Sequence, residues 1–149
     1  MSQYGELSPR FRDALIKRAK TKTPFWSLLD MEVVDVKKGW AKTRIPFAQK
    51  LANANGVAHG GAIFSAADTA VGIALVGLVS REDLITTMEM KINYVKPFDS
   101  GEIIAEAKII HKGSNTAIGD VEVRDSSGSL VAKAVSTYAI VKKTDKKQY

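Results

Sequence analysis

The chain has 149 residues, 45% of them hydrophobic and 26% charged, with a formal net charge of +6 and no cysteine. The length suits one domain around one core, and the mixed composition excludes disordered and fibrous classes. The lack of cysteine excludes disulfide frameworks, thiolate nucleophiles and cysteine metal sites together.

The opening segment MSQYGELSPRFRDALIKRAK lacks the apolar core of a secretory signal, and a cytoplasmic protein is expected. Residues 9–20 are predicted as an amphipathic helix whose docked face carries Phe11, Leu15 and Ala19. Arg10, Arg12, Lys17, Arg18, Lys20 and Lys22 give this region a basic, solvated face. Pro24 stops the helix, and Phe25, Trp26, Leu28 and Leu29 form an apolar knot expected to dock onto the core. Residues 31–47 read as two strands turning at Lys37-Lys38-Gly39, and 48–58 as an Asn-rich loop.

From His59 to Val79 the chain is apolar on almost every side and carries one acid, Asp68. The period then becomes strand-like: Thr87, Glu89, Lys91 and Asn93 alternate with Met88, Met90, Ile92 and Tyr94. Turn signals at Pro97–Gly101, Lys112–Asn115 and Ser126-Ser127-Gly128 separate strands over 102–111, 116–125 and 129–142. Lys142, Lys143, Lys146 and Lys147 read as a solvated tail.

Four long strands joined by short turns are expected to be antiparallel neighbours in sequence order. One apolar helix must cover their apolar face, which predicts an α+β fold with the sheet wrapped around that helix. The expected organisation is an N-terminal helix and linker over 1–24, one domain over 25–142 and a Lys-rich tail over 143–149. The 60–79 stretch reaches the ~20 residues needed to span a bilayer, but a mid-helix Asp costs about 2.5–3.5 kcal/mol there. Its many small residues suit close contact with a sheet, so no membrane span is expected. The basic residues come without interleaved aromatics or a reading motif, so no nucleic-acid partner is expected either.

The chemistry concentrates at Asn53, Gly56, His59, Gly60, Gly61 and Asp68. His-Gly-Gly opens the apolar helix, and the first amides of a helix have no internal partners and point outward at the positive end of its dipole. Such a place holds an anion or a carbonyl oxygen gaining charge. Equally, the glycines permit tight packing and His59 is a cap. A lone carboxylate in so apolar a helix is costly unless paired or kept for use. No basic residue lies one helical turn from Asp68, since positions 64, 65, 71 and 72 are Phe, Ser, Val and Gly. Its partner must come from elsewhere, such as a Thr or Lys side chain of the following strand, or be water. The two histidines, His59 and His111, have no acid cluster at ligand spacing, so no metal site is expected. Gly60 and Asp68 stand eight residues apart, about 12 Å along a helix. If both serve one reacting group, two antiparallel copies of the helix must share the site.

These residues, followed by Thr87-x-Glu89-x-Lys91-Ile92-x-Tyr94-x-Lys96-Pro97, resemble the hotdog-fold acyl-CoA thioesterases, in particular the phenylacetate-pathway (PaaI-like) group. The likeness covers about residues 25–141. It implies an acyl-CoA thioesterase acting on aromatic or short- to medium-chain acyl groups. In that pattern the Gly60 N–H polarises the thioester carbonyl, Asn53 assists, and Asp68 of the partner chain is general base or nucleophile. Thr87 helps place the water, and His59 props the loop. The resemblance also implies Gly61 as a substrate contact, and Lys112 and Ser114 as contacts to the polyanionic coenzyme A. No cofactor is implied beyond the coenzyme A of the substrate. A homo-oligomer is implied, a dimer with shared sites assembling into a tetramer. The alternatives are a non-catalytic acyl-CoA sensor of the same fold and a hotdog hydratase or dehydratase.

Overall fold

The protein is described by a computed structural model covering residues 3–143, apart from the side chains of Lys20 and Lys22. Helix α1 (Pro9–Lys22) and helix α2 (Pro24–Leu28) precede strands β1 (Glu32–Lys37) and β2 (Trp40–Pro46). After a single 3-10 turn, Gln49–Leu51, helix α3 (Gly60–Val76) is followed by β3 (Leu84–Tyr94), β4 (Glu102–Lys112), β5 (Thr116–Asp125) and β6 (Leu130–Val141). The six strands form one sheet in the order β1-β2-β4-β5-β6-β3, with every pair antiparallel. The sheet curls around α3, an α+β hotdog architecture.

One expectation needs correcting. β3 and β4, separated by the Pro97–Gly101 turn, are not neighbours: β3 pairs with β6, and β4 pairs with β2. The connecting segment leaves the β6 side, where Val95 N donates to Val131 O. It arrives beside β2, where Phe47 N donates to Gly101 O. Midway, buried Phe98 packs edge-on against Phe47, and its carbonyl accepts from Ala58 N. A buried aromatic and two long-range backbone anchors make this stretch a crossover rather than a hairpin.

The helix-to-sheet distance is set by small residues. On α3, Ala62, Ala66, Ala67, Ala70 and Ala74 are buried. Opposite them, a Cβ at Gly119 of β5 would stand 2.4 Å from Val71 Cγ1. Thr43 is fully buried and donates its hydroxyl to the Ala66 carbonyl at 2.9 Å, tying β2 to α3 without an orphaned polar group.

At the N-terminus, α1 docks its Phe11, Leu15 and Ala19 face against the core, and Arg12 pairs with Asp35 of β1 at 2.8 Å. Pro24 both follows α1 and opens α2, a first-turn position where its missing N–H costs nothing. Of the apolar knot, Leu29 is buried and Trp26 packs on the core, but Phe25 and Leu28 are exposed. Lys142 and Lys143 are not a free tail: they pair with Asp83 and Glu82 at 2.9 and 2.7 Å. Lys146 and Lys147 lie outside the described residues. Among the described residues no helix is long and apolar enough to cross a membrane.

Candidate active site

Asp68 sits mid-way along α3 and has two hydroxyl partners. Thr87 Oγ1 donates to its Oδ1 at 2.9 Å. Tyr138 Oη lies 2.8 Å from the same Oδ1 and 2.7 Å from the Asp68 carbonyl oxygen, sharing its one proton between them. Among the described residues no hydrogen bond reaches Oδ2, so one carboxylate oxygen is held and the other is not. Burial, and then the neighbouring Asp68 charge, push the Tyr138 phenol well above its ordinary range, so it stays a proton donor.

Two local features create this arrangement. Gly72 is one helical turn after Asp68, and a Cβ there would stand 3.1 Å from Tyr138 Oη, so glycine makes room for the phenol. On β3 the strict alternation expected for residues 87–94 is broken by a bulge between Thr87 and Glu89. Ile85 and Thr87 face inward, Met88 is the extra residue and is 61% exposed, and the inward phase resumes with Met90 and Ile92. Uninterrupted alternation would place Thr87 on the outer face with Glu89; the bulge points it at Asp68. The buried Ser136 hydroxyl donates to the Glu89 carbonyl at 3.1 Å and fixes the bulge.

At the other end, α3 begins in a pinned loop. Asn53 N donates to Val57 O, Gly56 adopts φ 80°, and His59 N donates to Leu51 O. Asn53 Oδ1 accepts from Asn55 N at 2.8 Å, which leaves its amide NH2 to donate. His59 is the helix cap: its Nδ1 accepts from Gly61 N at 2.9 Å, a bond that places the ring proton on Nε2. The Gly61 amide, expected as a substrate contact, is therefore already occupied. The Gly60 N–H has no acceptor among the described residues. Its carbonyl accepts from Tyr94 Oη at 2.9 Å, and a Cβ at position 60 would stand 3.1 Å from that phenol.

Gly60 and Asn53 line a depression of about 380 Å³ with Tyr94 and Lys96. Asp68 and Tyr138 line another of about 260 Å³ with Trp26, Gly72 and Ile73. The two have no lining residue in common. One chain thus keeps Gly60 and Asp68 in separate depressions. A larger depression of about 460 Å³ lies on the outer face of the sheet. There Lys42–Glu106 and Lys133–Asp120 are among the pairs that satisfy its charges. Lys112 and Ser114 are exposed beside the β4–β5 turn, at the end of the sheet where α3 finishes, and do not meet Gly60 within one chain. The described residues contain no group of three or more His, Asp or Glu placed to hold a metal ion.

Tyr138 was not singled out in the sequence, and Tyr94 was read only as part of the strand motif, with no role at the site. β6 does carry a signal, because Ser136 and Tyr138 occupy the inward phase of Ala134 and Ile140, and a buried phenol needs a hydrogen-bond partner. That the partner is Asp68, 70 residues away, follows only from the fold.

Comparison with known proteins gives the family and the fold. Residues 55–132 match the Thioesterase superfamily. SSO2140 of Saccharolobus solfataricus, provisionally named an esterase, is 34% identical over 117 residues, covering 78% of this chain and 83% of its own. The 1,4-dihydroxy-2-naphthoyl-CoA hydrolase of Listeria monocytogenes is 25% identical over 115 residues, 77% of this chain and 94% of its own. The structure of Escherichia coli PaaI superposes with a TM-score of 0.80 at 20% identity, covering 91% of this chain and 97% of that one, a likeness of fold.

Proposed function

The chain belongs to the thioesterase superfamily and is a thioester hydrolase; we propose that it cleaves an aromatic or short- to medium-chain acyl-CoA at a site shared between two chains. The observation that carries this reading is the separation of an unpaired Gly60 N–H from an Asp68 carboxylate with one free oxygen.

A second copy brings the halves together. β3 is an edge strand that pairs only with β6 among the described residues, and Leu84, Met88, Tyr94 and Val95 along it are exposed. Near one end of β3, Thr87 touches Asp68; at the other, Tyr94 touches Gly60. A two-fold axis near the middle of β3 exchanges these ends and sets Gly60 of each chain against Asp68 of the other. The same axis carries Lys112 and Ser114 toward the partner's Gly60 end, where they are available to the phosphates of coenzyme A. A tetramer formed from two such dimers, a cytoplasmic setting and the lack of any cofactor beyond the substrate's coenzyme A belong to the same reading.

In the shared site the thioester oxygen accepts from the Gly60 N–H, with the Asn53 amide as second donor. One such donor is worth ~2.7–4 kcal/mol of the barrier. Asp68 takes a proton from water, whose oxygen bonds to the carbonyl carbon. The C–S bond then breaks, and the proton passes to the departing coenzyme A sulfur. Direct attack by Asp68 gives a mixed anhydride that water opens to the same products. The two routes differ in labelled water where the anhydride opens at the Asp68 carboxyl carbon: a single turnover then leaves the label on Asp68, whereas the general-base route puts it in the product acid.

The test is thiol release from acyl-CoAs running from acetyl to palmitoyl and including phenylacetyl and hydroxybenzoyl. Wild type is expected to turn over, and Asp68→Asn to collapse with fold and oligomer size unchanged. Binding without turnover in either protein would make this chain a sensor. Addition of water across an enoyl-CoA would make it a hydratase.

A further inference from the structure

The depression at Asp68 does not end in bulk protein. Beyond it, under α1, lies a second cavity of about 260 Å³ lined by Leu15, Ala19 and Val79 and by the charged Arg18, Arg81 and Asp83. The two cavities share four residues: Trp26, Ile73, Val76 and Ile85. These four form the partition between them. Three are aliphatic side chains on α3 and β3; the indole is the one large group contributed from outside the residues that match the superfamily, 55–132. Its backbone is tied down on both sides, with Trp26 N donating to Thr23 O at 3.0 Å and Met31 N donating to Trp26 O at 2.8 Å.

We infer that Trp26 sets the acyl-length limit of this enzyme, closing the pocket beside Asp68 so that it holds a compact acyl group and bars longer chains from the space under α1. The inference rests on the proposed acyl-CoA site. The cavity at Asp68 is smaller than the ~300–1,000 Å³ of ordinary ligand pockets, which suits a short chain or a single ring. Its walls are apolar beyond Asp68, Thr69 and Tyr138, as an acyl tail requires. Removing the indole would join it to a second space of equal volume, in which Leu15, Ala19 and Val79 offer apolar wall beside the charged Arg18, Arg81 and Asp83.

The experiment measures the affinity of non-hydrolysable alkyl-CoA thioethers, from butyl to tetradecyl, alongside hydrolysis of the matching thioesters. The proteins are wild type, Trp26→Phe, Trp26→Ala, Leu15→Ala and Trp26→Ala/Leu15→Ala, each checked by circular dichroism and thermal unfolding. Wild type and Trp26→Phe are expected to lose affinity beyond a short chain. Trp26→Ala is expected to gain about fourfold per added methylene over the longer chains, the transfer value of a buried CH2. Leu15 lines only the second cavity, so Leu15→Ala should alter the profile only when Trp26 is also removed. The same length profile in wild type and Trp26→Ala overturns the inference, as does wild-type affinity that keeps rising with length. A shifted binding profile without any turnover would leave Trp26 as the length limit and remove the hydrolase reading. Turnover with an unshifted profile would do the reverse.

Discussion

Tyr138 and Asp68 are joined twice, the phenol standing 2.8 Å from Oδ1 and 2.7 Å from the backbone carbonyl of the same residue. One hydroxyl thereby couples the rotamer of the carboxylate to the position of its helix, and Thr87 completes the hold from the opposite strand. In the proposed function both are positioning residues.

Removing either hydroxyl should therefore lower activity without unfolding the protein. A hydrogen bond to a charged group is worth about 1.5–3 kcal/mol, so Tyr138→Phe should reduce kcat/KM about 10- to 100-fold, mostly in kcat. Thr87→Val should act in the same direction. Because the phenol stays protonated well above its usual range, wild-type activity should show no alkaline loss near pH 10, the ordinary tyrosine value. A pH–rate profile of wild type and Tyr138→Phe checks both points. Unchanged kcat in Tyr138→Phe would show that the carboxylate needs no such support.

Gly119 governs the depth at which α3 lies. An added methyl would meet Val71 Cγ1 at 2.4 Å and Cγ2 at 2.9 Å, and Val71 is fully buried. Gly119→Ala should cost ~1–3 kcal/mol, the usual cost of overpacking. It should also lower kcat, because Val71 is on the helix that carries Asp68. Combining it with Val71→Ala should recover part of the loss, a coupling readable from denaturant unfolding of the single and double variants. Strictly additive losses would mean that the two do not press on each other.

The β5–β6 hairpin turns around Asp125, which accepts from Lys96 Nζ at 2.5 Å, from Ser127 N at 2.9 Å and from Ser129 N at 3.0 Å. Lys96, followed by the Ser127 hydroxyl, holds this carboxyl far below the usual range. Asp83 is lowered chiefly by Lys142, and Glu122 by Arg124. For such depressed groups the unfolded chain takes up protons first. Their stabilisation is complete above the ordinary carboxylate value of ~3.9 and is lost as pH falls through the folded values. Asp125→Asn should lower Tm at neutral pH and flatten its fall below pH ~4. Equal acid slopes in the two proteins would contradict this.

Much of the fold was legible because periodicity and turn chemistry act locally. The apolar run of α3, the Lys37–Gly39 turn and the Ser126–Gly128 hairpin all appear where the residues indicate. The position of β3 was not legible. A Pro-containing turn of ordinary length looks like a hairpin until Phe98 is seen to be buried beside Phe47. The same limit applied at the site. Asp68 and Gly60 stand out as a carboxylate and a bare amide on one apolar helix, but the bulge at Met88 leaves no mark in the alternation of β3. Tyr138 becomes a partner only when β6 is laid beside β3.

The claim that two chains build each site is tested most directly by mixing two inactive proteins. Asp68→Asn and Asn53→Ala are purified separately, exchanged as subunits at equal concentration, and assayed for thiol release. Each mixed dimer then holds one site with both residues intact and one with neither. Random exchange makes half the dimers mixed, so about a quarter of wild-type activity should return. If exchange is demonstrated and activity stays at that of the two variants alone, each site belongs to a single chain and the shared-site account is wrong.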